Sequence, residues 1–583
     1  ERALVTAAET GELQVMFSFA SVQGVMGPIT PLGQDTLRTL LTRAGRLFNM
    51  ADIDLHTQRL AWSSTERLWI NFTAVIRHPI GRKIIQAAFP MIDAEAYQVF
   101  EATWHDPRIK PDPDWFKLHT FQGIGFFMRP VLARIFRVMR QPDAFRDHYQ
   151  QEIDTYLEDL QNQSKTLSTF LERLDFFFGT EGSVPNAFPF IFPRLLPTIA
   201  GGMASLALLK KWSAKLPPDA PDPLIFTRGL PHNVTTEMDL ALWQTSQMIQ
   251  ADEPSAIIFK ALDGNALSRA YLAAELPAVA QTAVSQFMAE YGMRGLAEID
   301  IGQPRWRENP VHIMQVLQSY LQIDNPDMAP DAVFARGAAE AKAAIKPFQT
   351  AVRATKFGAV KAKLVPPVVY RLRALAGGRE TPKFTVIRIF GIVRQGLLES
   401  GQEFVEQGII QQPEDLFYLK MDELYALAFG ETRDWLSLIA TRKEIEAKEK
   451  ERRLIPRVLM SDGRVFYEGT GKKTAVAEDG TLVGSPVSPG VVEGIAHIVF
   501  NPHDSQLQPG EILVCPGTDP AWTPLFLAAG GLITEVGGLM THGSVVAREY
   551  GIPAVVGINN ATTLIQTGQK IRVDGTLGLI TLL

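Results

Sequence analysis

The chain has 583 residues, with 57 lysines and arginines against 63 aspartates and glutamates, so its formal charge is −6. That length predicts about three to five folding units. The slight acidity excludes the strongly basic surface of a typical nucleic-acid-binding protein. A single cysteine, Cys515, excludes an intrachain disulfide and a multi-cysteine metal site, and it suits a cytoplasmic protein.

Helical periodicity dominates from about residue 34 to residue 450. Apolar residues recur there at three- and four-residue spacing among good helix formers. The clearest such segments are 35–49, 143–175, 235–251, 266–290 and 330–354. We therefore predict a large, mainly α-helical domain over residues 1–459.

The most apolar stretch of the chain, residues 188–209, carries few charges. It contains Pro189, Pro193 and Pro197, which would break a helix exposed to lipid. We expect a buried loop with a short helix in this region, and no membrane span.

The pattern changes after Pro456, where glycines become frequent. Short apolar runs predict strands that alternate with turns and one or two helices. These runs are 496–500, 512–515, 531–535, 554–556, 570–573 and 579–583. The prediction is a multidomain chain in which a linker, residues 460–483, joins the helical domain to a small C-terminal α/β domain, residues 484–583. A linker of about 20 residues reaches at most roughly 65–70 Å.

One histidine lies at a glycine-rich turn, in the run GGLMTHGSVVAREYGIPAVVG at residues 537–557. Thr541 suits the N-cap and Gly551 the C′ position of a helix from about residue 543 to residue 550. His542 would lie at the N-terminus of this helix, where the dipole and free N–H groups favour an anion. A neutral imidazole can attack phosphorus there. The histidines show no metal-ligand spacing, so no metal site is predicted.

This run resembles the swivelling phosphohistidine domain of the phosphoenolpyruvate-utilising enzyme family. The segments SPGVVEG at 488–494 and VDGTLG at 573–578 resemble the opening and the close of that domain. The resemblance implies that His542 carries a phosphoryl group. The residues we expect to support the phosphohistidine are Thr541, Gly543, Ser544 and Arg548.

Too few residues follow His542 for the large barrel that binds phosphoenolpyruvate in the dikinases of this family. A histidine domain placed last, after a mostly helical substrate domain, is similar to the rifampin phosphotransferases and their phosphoenolpyruvate-synthase-like relatives. Looser resemblances extend over most of the chain. They lie at residues 26–32, 291–306, 379–394 and 412–419.

The segment at 379–394 also has a reading from its residues alone. Arg379 and Lys383 are four apart, so in a helix both would project from one face. Two cations on one face can hold a phosphoryl group during transfer, with Glu380 orienting one of them. We predict that Arg379 and Lys383 are catalytic together with His542; a surface ion pair or a helix cap is the alternative.

The segment at 291–306 carries a charged group within apolar surroundings. A carboxylate in this group could accept the proton of a substrate hydroxyl. A structural salt-bridge network is the alternative. The residues predicted to bind substrate are Arg294, Glu298, Arg305 and, from the later segment, Arg388.

No Walker loop and no GxGxxG motif is present in the sequence. The family resemblance implies that ATP and magnesium load the histidine in an ATP-grasp domain. We therefore expect this chain to bind no cofactor itself, to be a fragment or to work with a separate ATP-binding subunit, and to be inactive with ATP alone.

Together these features predict the phosphocarrier and acceptor portion of an ATP-dependent phosphotransferase similar to the rifampin phosphotransferases. It would relay a phosphoryl group through His542 to a hydroxyl of a small molecule. The alternatives are a phosphoenolpyruvate-synthase-like enzyme acting on pyruvate or another small metabolite, and a non-catalytic binding module. We expect no nucleic-acid or membrane partner.

Overall fold

The structure is a computed structural model, and most of the chain is helical. The residues that it describes are 12–20, 27–48, 53–55, 58, 60–109, 118–217, 220–323, 325–452, 455–467, 481–502, 507–519, 522–538 and 541–583. Residue 26 of the first signature, residues 539–540 of the histidine run and residues 468–480 of the predicted linker lie outside these ranges.

Helices fill the region between residue 31 and residue 450. In chain order they are α1 (Pro31–Arg43), α2 (Thr73–Arg77), α3 (Pro79–Ile92), α4 (Ala94–Thr103), α5 (Leu118–Arg140), α6 (Pro142–Ser164), α7 (Phe170–Phe178), α8 (Ser183–Ser213), α9 (Val234–Ala251), α10 (Glu253–Ala261), α11 (Gly264–Leu272), α12 (Ala278–Tyr291), α13 (Val311–Tyr320), α14 (Pro330–Ala343), α15 (Ile345–Arg353), α16 (Gly358–Leu375), α17 (Thr381–Glu406), α18 (Met421–Ala428) and α19 (Trp435–Lys450).

The centre of the helical region is α17, whose Ile389, Phe390 and Val393 are fully buried. They pack in one hydrophobic cluster with residues of α7 and α8. Burial of apolar surface on this scale fixes the position of the helix. The N-terminus of α17 is therefore a rigid platform for the site described below.

The expectation of a buried loop and a short helix at 188–209 was wrong, because α8 continues from Ser183 to Ser213. A proline removes the N–H that would bond the carbonyl four residues earlier. Pro197 frees the carbonyl of Pro193 in this way, and the guanidinium of Arg134 on α5 donates to that oxygen at 2.7 Å. A tertiary contact thus compensates the helix for one lost backbone bond.

The stretch Phe170–Ser213 is long and apolar enough to cross a membrane by length and composition alone. Within the structure, α8 packs against α5, α16 and α17. Ala187 and Ile191 of this helix are fully buried among residues of the same domain. These contacts are those of a helix inside a protein core.

A five-stranded antiparallel sheet lies beside the helices, in the order β2-β3-β1-β4-β5. Its strands are β1 (Val15–Ser18), β2 (Ala61–Ser64), β3 (Arg67–Asn71), β4 (Val458–Met460) and β5 (Val465–Phe466). Met16 of β1 pairs with Leu459 of β4, so the chain returns to its beginning after the helical region. Since β5 lies within 460–483, the first part of the predicted linker belongs to this sheet.

The C-terminal region forms an eight-stranded sheet in the order β6-β13-β12-β8-β9-β10-β11-β7. Its strands are β6 (Leu482–Val483), β7 (Ser485–Ser488), β8 (Val491–Ile498), β9 (Ile512–Cys515), β10 (Gly531–Thr534), β11 (Ala554–Val556), β12 (Lys570–Asp574) and β13 (Leu579–Leu582). Neighbours from β8 to β11 pair in parallel. The helices of this region are α20 (Thr523–Ala528), α21 (His542–Tyr550) and α22 (Ala561–Leu564).

A buried carboxylate joins two distant segments of the helical domain. Asp300 accepts hydrogen bonds from the backbone N–H and the hydroxyl of Thr30, at 2.9 and 2.7 Å, and from the N–H of Gly302 at 2.9 Å. Burial raises the pKa of Asp300, although these hydrogen bonds lower it. The signature at 291–306 is thereby attached to the segment that caps α1.

We predict that Asp300→Ala lowers the free energy of unfolding by about 2–3 kcal/mol, because three buried donors lose their acceptor. Urea unfolding followed by circular dichroism measures the change. Asp159→Ala, at an exposed position of α6, is the control and should change it by less than about 0.5 kcal/mol. Equal effects of the two substitutions would contradict a structural role for Asp300.

Candidate functional site

His542 is the first residue of α21, which follows the carboxyl end of β10 across the glycine-rich turn. Its Nε2 lies 3.2 Å from the hydroxyl oxygen of Thr523, the first residue of α20. Its Nδ1 is buried and has no hydrogen-bond partner among the described residues. The ring is thus held at one nitrogen, at the start of a helix.

The residues next to His542 shape the turn. The hydroxyls of Thr541 and Ser544 each donate to the carbonyl of Gly538 at 2.8 Å. Thr541 is the N-cap residue as predicted, but its side chain does not bond the first-turn N–H groups. A Cβ on Gly543 would lie 2.4 Å from the hydroxyl oxygen of Thr518, so only glycine lets the helix approach so closely.

Arg548 is also on α21, but its guanidinium points away from the turn. It donates to the carbonyl of Val487 within the same domain at 3.0 Å. Burial, together with the nearby Arg379, lowers the pKa of Arg548 to about 10. Among the predicted supporting residues, Arg548 therefore acts on the fold of its own domain.

Two predicted cations from the helical domain lie near the imidazole. Arg379 ends a short 3₁₀ turn, and Lys383 is in the first turn of α17. The four-residue spacing suggested that both residues lie on one helix, but the structure places them on two different elements. Their charges nevertheless act on the same ring. Arg379 forms an ion pair with Glu380, the residue between the 3₁₀ turn and α17.

A second charged layer lies behind these groups. Glu298 Oε1 is 3.4 Å from Arg294 Nη1 and 3.8 Å from Lys383 Nζ. Arg294 and Glu298 are almost completely buried, and the Arg294 guanidinium lies 4.7 Å from the centre of the Phe384 ring. Glu298 Oε2 and Arg294 Nε have no hydrogen-bond partner among the described residues. Buried polar atoms without partners are rare, and here they occur together with His542 Nδ1.

Two of the predicted substrate-binding residues are engaged elsewhere. Arg305 is buried and donates to the carbonyl of Glu298 at 2.7 Å, so it supports the loop rather than facing the ring. Arg388 pairs with Asp154 at 2.6 Å. It shares a face of α17 with Thr381 and Thr385, whereas Lys383 lies on another face. The charges of Arg294, Arg379 and Lys383 thus act on His542, and Glu298 pairs with two of these cations, whereas Arg305 and Arg388 are engaged elsewhere.

The electrostatics of the site favour a neutral imidazole. The pKa of His542 is lowered to about 3, mainly by burial; Glu380 raises it, while Lys383, Arg379 and Arg294 contribute to the lowering. The pKa of Glu380 falls to about 2, because Arg379 and other cations outweigh its burial. The imidazole is therefore uncharged at neutral pH, with a proton on one nitrogen and a free lone pair on the other.

Two cavities adjoin the site. A small apolar cleft beneath α21 is bounded by Arg379 and Glu380, and its other walls include Ile199, Met203 and Leu230. A larger polar cavity of about 460 Å³ lies on the Arg388 face of α17. The apolar cleft borders the charged groups around His542. In the described part of the chain, no group of three or more potential metal ligands comes together.

The sequence analysis missed some contributors. Glu380 was predicted only to orient a cation. Thr523 lies outside the histidine run, so no local pattern indicated that its hydroxyl contacts the ring. Glu549 lies inside the histidine run, yet only its neighbour Arg548 was selected. Glu549 belongs to the motif on α21, and α21 contacts the other domain. Its place in that motif could therefore have identified it.

Two family models match the chain. Residues 194–380 match the rifampicin phosphotransferase fourth domain, and residues 507–578 match the mobile domain of phosphoenolpyruvate-utilising enzymes. The second match contains His542. The first contains Arg294, Glu298 and Arg379 and ends where α17 begins.

Curated relatives agree with these matches. The rifampicin phosphotransferase of Bacillus subtilis is 37% identical over 358 residues, which cover 61% of this chain and 40% of that protein. That of Streptomyces sviceus is 37% identical over 361 residues, covering 61% and 41%. Over these stretches the chain is similar to rifampicin phosphotransferases and to the mobile domain of phosphoenolpyruvate-utilising enzymes. The prodigiosin synthesizing transferase PigC of Serratia marcescens is 30% identical over 310 residues, covering 52% of this chain and 33% of that protein.

The chain spans about two fifths of the length of these two phosphotransferases. It carries the mobile domain of the family. The phosphotransferase names belong to the relatives, and the activity of this chain is taken up below.

We predict that the His542 ring stays neutral down to about pH 4 in the folded chain, because its docked pKa is lowered to about 3. The docked pKa is below the usual histidine pKa near 6.5. The contribution of the neutral ring to the stability of the docked state is therefore complete above about pH 6.5, and it is lost as the pH falls toward 3. ¹⁵N chemical shifts of the ring nitrogens measure the titration. A midpoint between pH 6 and 7 would show a solvated ring and contradict the docked arrangement.

Proposed function

We propose that this chain is the phosphocarrier and acceptor portion of an ATP-dependent phosphotransferase, in which His542 relays a phosphoryl group to a hydroxyl of a small molecule. The observation that supports this most is the enclosure of a neutral His542 by Arg294, Arg379 and Lys383. Those cations disfavour an imidazolium, but they favour the doubly charged phosphoryl group on the same ring.

The transfer step uses the cations near the ring and the carboxylate of Glu298 behind them. The oxygen of the acceptor hydroxyl attacks phosphorus, an O–P bond forms, and the N–P bond to His542 breaks. Arg379 and Lys383 neutralise the phosphoryl oxygens during transfer. The hydroxyl gives up a proton and the departing ring nitrogen needs one. Glu298, whose Oε2 has no hydrogen-bond partner in the described structure, is the carboxylate that carries this proton.

Loading of His542 takes place elsewhere in this scheme. ATP and magnesium are bound by an ATP-grasp domain, either in the same polypeptide or in a separate cytoplasmic subunit, and the β-phosphate supplies the phosphoryl group. This chain by itself then consumes no ATP. The family of the mobile domain supports the proposal, because such a domain carries its histidine between two sites.

The acceptor we propose is a bulky, largely apolar molecule with a reactive hydroxyl, of which rifampicin is the example that the relatives' names provide. The apolar cleft beneath α21, lined by Ile199, Met203 and Leu230 and bordered by Arg379, holds about 70 Å³, so it can take an apolar edge of such a molecule and not its whole body. An acceptor anchored there would place its hydroxyl on the Arg379 side of the site. Small metabolites such as pyruvate are tested as competing acceptors.

The first test follows the phosphoryl group. We expect label from ATP labelled at the β-phosphate to appear on the wild-type chain supplied with an ATP-grasp domain, and to be absent from His542→Ala. The label should be stable in alkali and labile in acid, as expected for a phosphohistidine. Label retained by the variant would overturn the role of His542.

The second test separates loading from transfer. We expect Lys383→Ala to slow transfer from phospho-His542 to rifampicin about 10²–10³-fold, because one donor to the transferring group is lost. Loading should be unaffected, since Lys383 acts at the acceptor site only. Single-turnover kinetics with preloaded protein give the rate, and Lys363→Ala, at an exposed position of α16, is the control. An unchanged transfer rate in Lys383→Ala would remove this lysine from the mechanism.

A further inference from the structure

The last turn of α21 carries two residues whose side chains bond only to the other domain in the described structure. Glu549 accepts from Asn233 Nδ2, at 2.6 and 2.7 Å to its two oxygens, and from the Thr236 hydroxyl at 2.7 Å. Tyr550 donates to Asp239 at 2.5 Å. The preceding Arg548 bonds within its own domain. Glu549 and Tyr550 are thus placed to join domains.

The amide of Asn233 is oriented by a second contact. Asn233 is the N-cap of α9, where its Oδ1 accepts from the N–H of Thr235 at 3.1 Å. The oxygen is therefore committed to the helix, and the NH₂ group must point the other way, toward Glu549. Asn233, Thr236 and Asp239 recur every three residues on α9 and form one receiving face.

The second contact of this face is a carboxylate held by two phenols. Asp239 is completely buried and accepts from Tyr320 of its own domain as well as from Tyr550. Burial raises the pKa of Asp239 to about 6, although both hydroxyls lower it. When Tyr550 leaves, Asp239 keeps Tyr320, so the receiving face persists without the mobile domain.

The distance along α21 connects this contact to the chemistry. Seven residues separate His542 from Glu549, which is about 10 Å of helix at 1.5 Å per residue. A helix held at its last turn by directional hydrogen bonds is fixed in rotation and in translation. Its first residue is then fixed over Arg379 and Lys383.

We propose that Glu549 and Tyr550 form a docking latch with Asn233, Thr236 and Asp239, and that this latch positions phospho-His542 at the acceptor site. Glu549 and Tyr550 are positioning residues, because they act on the reaction through the orientation of α21; Glu549 and Asn233 also border the apolar cleft, so hydrogen exchange in α9 is the readout that reports docking alone. The inference rests on the proposed function only for the identity of the transferred group; the docking itself is independent of it.

The hydrogen bonds of the latch allow release of the mobile domain as well as specific docking. Its donors are an amide and hydroxyls, and no lysine or arginine bonds to Glu549 in the described structure. A buried ion pair would leave an uncompensated charge whenever it opened. Hydrogen bonds from uncharged donors exchange with water on opening and leave no cation without its partner. Burial also raises the pKa of Glu549 to about 7, which limits the charge that is buried at neutral pH.

An exchange of groups across the contact tests the latch. Asn233→Asp keeps the oxygen that caps α9 but sets a carboxylate against Glu549. Glu549→Gln sets an amide against the NH₂ of Asn233. The double variant restores one amide and one carboxylate in the reverse order. Glu493→Gln is the matched control, since Glu493 is an exposed residue of the mobile domain that pairs with Lys570 in the same domain.

Three measurements are made on the chain supplied with an ATP-grasp domain. They are hydrogen exchange of the first turns of α9, label loaded on His542 from ATP, and transfer of that label to rifampicin. We expect each single variant to slow transfer about 10- to 100-fold and to speed exchange in α9, with loading unchanged. The double variant should recover transfer to within about threefold of wild type.

The outcomes separate the two proposals. Unchanged exchange and transfer in both single variants, or a double variant as slow as the worse single one, would overturn the latch. Loss of loading along with transfer would also overturn it, because the residues would then be needed for the fold of the mobile domain. A wild-type chain that transfers no label, but whose exchange still rises in the single variants and recovers in the double variant, would support the latch and refute the proposed function.

Discussion

The arrangement of charge around His542 is the feature on which the rest of the site depends. Three cations, Arg294, Arg379 and Lys383, act on a ring that burial already keeps neutral, and Glu380 compensates only part of their charge. A site of this kind is electrostatically incomplete while the imidazole is bare. A phosphoryl group would supply the missing negative charge, so the same field that depresses the ring's basicity stabilises its phosphorylated form.

Elements far apart in the chain hold this charge in place. Arg379 belongs to a turn at the end of α16, Lys383 to the buried helix α17, and Arg294 to a loop that Arg305 supports through the carbonyl of Glu298. Each cation is mounted on a different element, and the histidine comes from another domain. The charged surroundings of His542 are therefore complete only when the two domains meet.

Local signals in the sequence predicted the structure around His542 well. The turn around His542, the N-cap at Thr541 and the left-handed Gly551 follow from short-range rules, and the structure has α21 between them. The strands at 512–515 and 554–556 were likewise predicted at their observed bounds. Arg379 and Lys383 were selected correctly as neighbours, although a helix does not hold both. The boundaries between domains remain predictions.

Features that depend on tertiary contacts could not be predicted. Helix α8 continues through its prolines, and Arg134, 59 positions before Pro193, donates to a carbonyl that lacks its helical partner. Arg388 was predicted to bind substrate, but its position on α17 directs its side chain toward Asp154. The contact between Asn233 and Glu549 joins residues 316 positions apart. Neither partner carries a local pattern that reveals the other.

The pairing of β4 and β5 into the N-terminal sheet has a consequence for the geometry of the complete enzyme. Val465–Phe466 is held in that sheet, so only thirteen residues, 468–480, connect Tyr467 to Thr481 at the start of the mobile domain. Covalent geometry limits such a span to roughly 45–50 Å, well below the reach of the whole stretch 460–483. If His542 is loaded at a second site while β5 stays paired, that site lies within this distance of the edge of the N-terminal sheet, enlarged by the dimensions of the mobile domain.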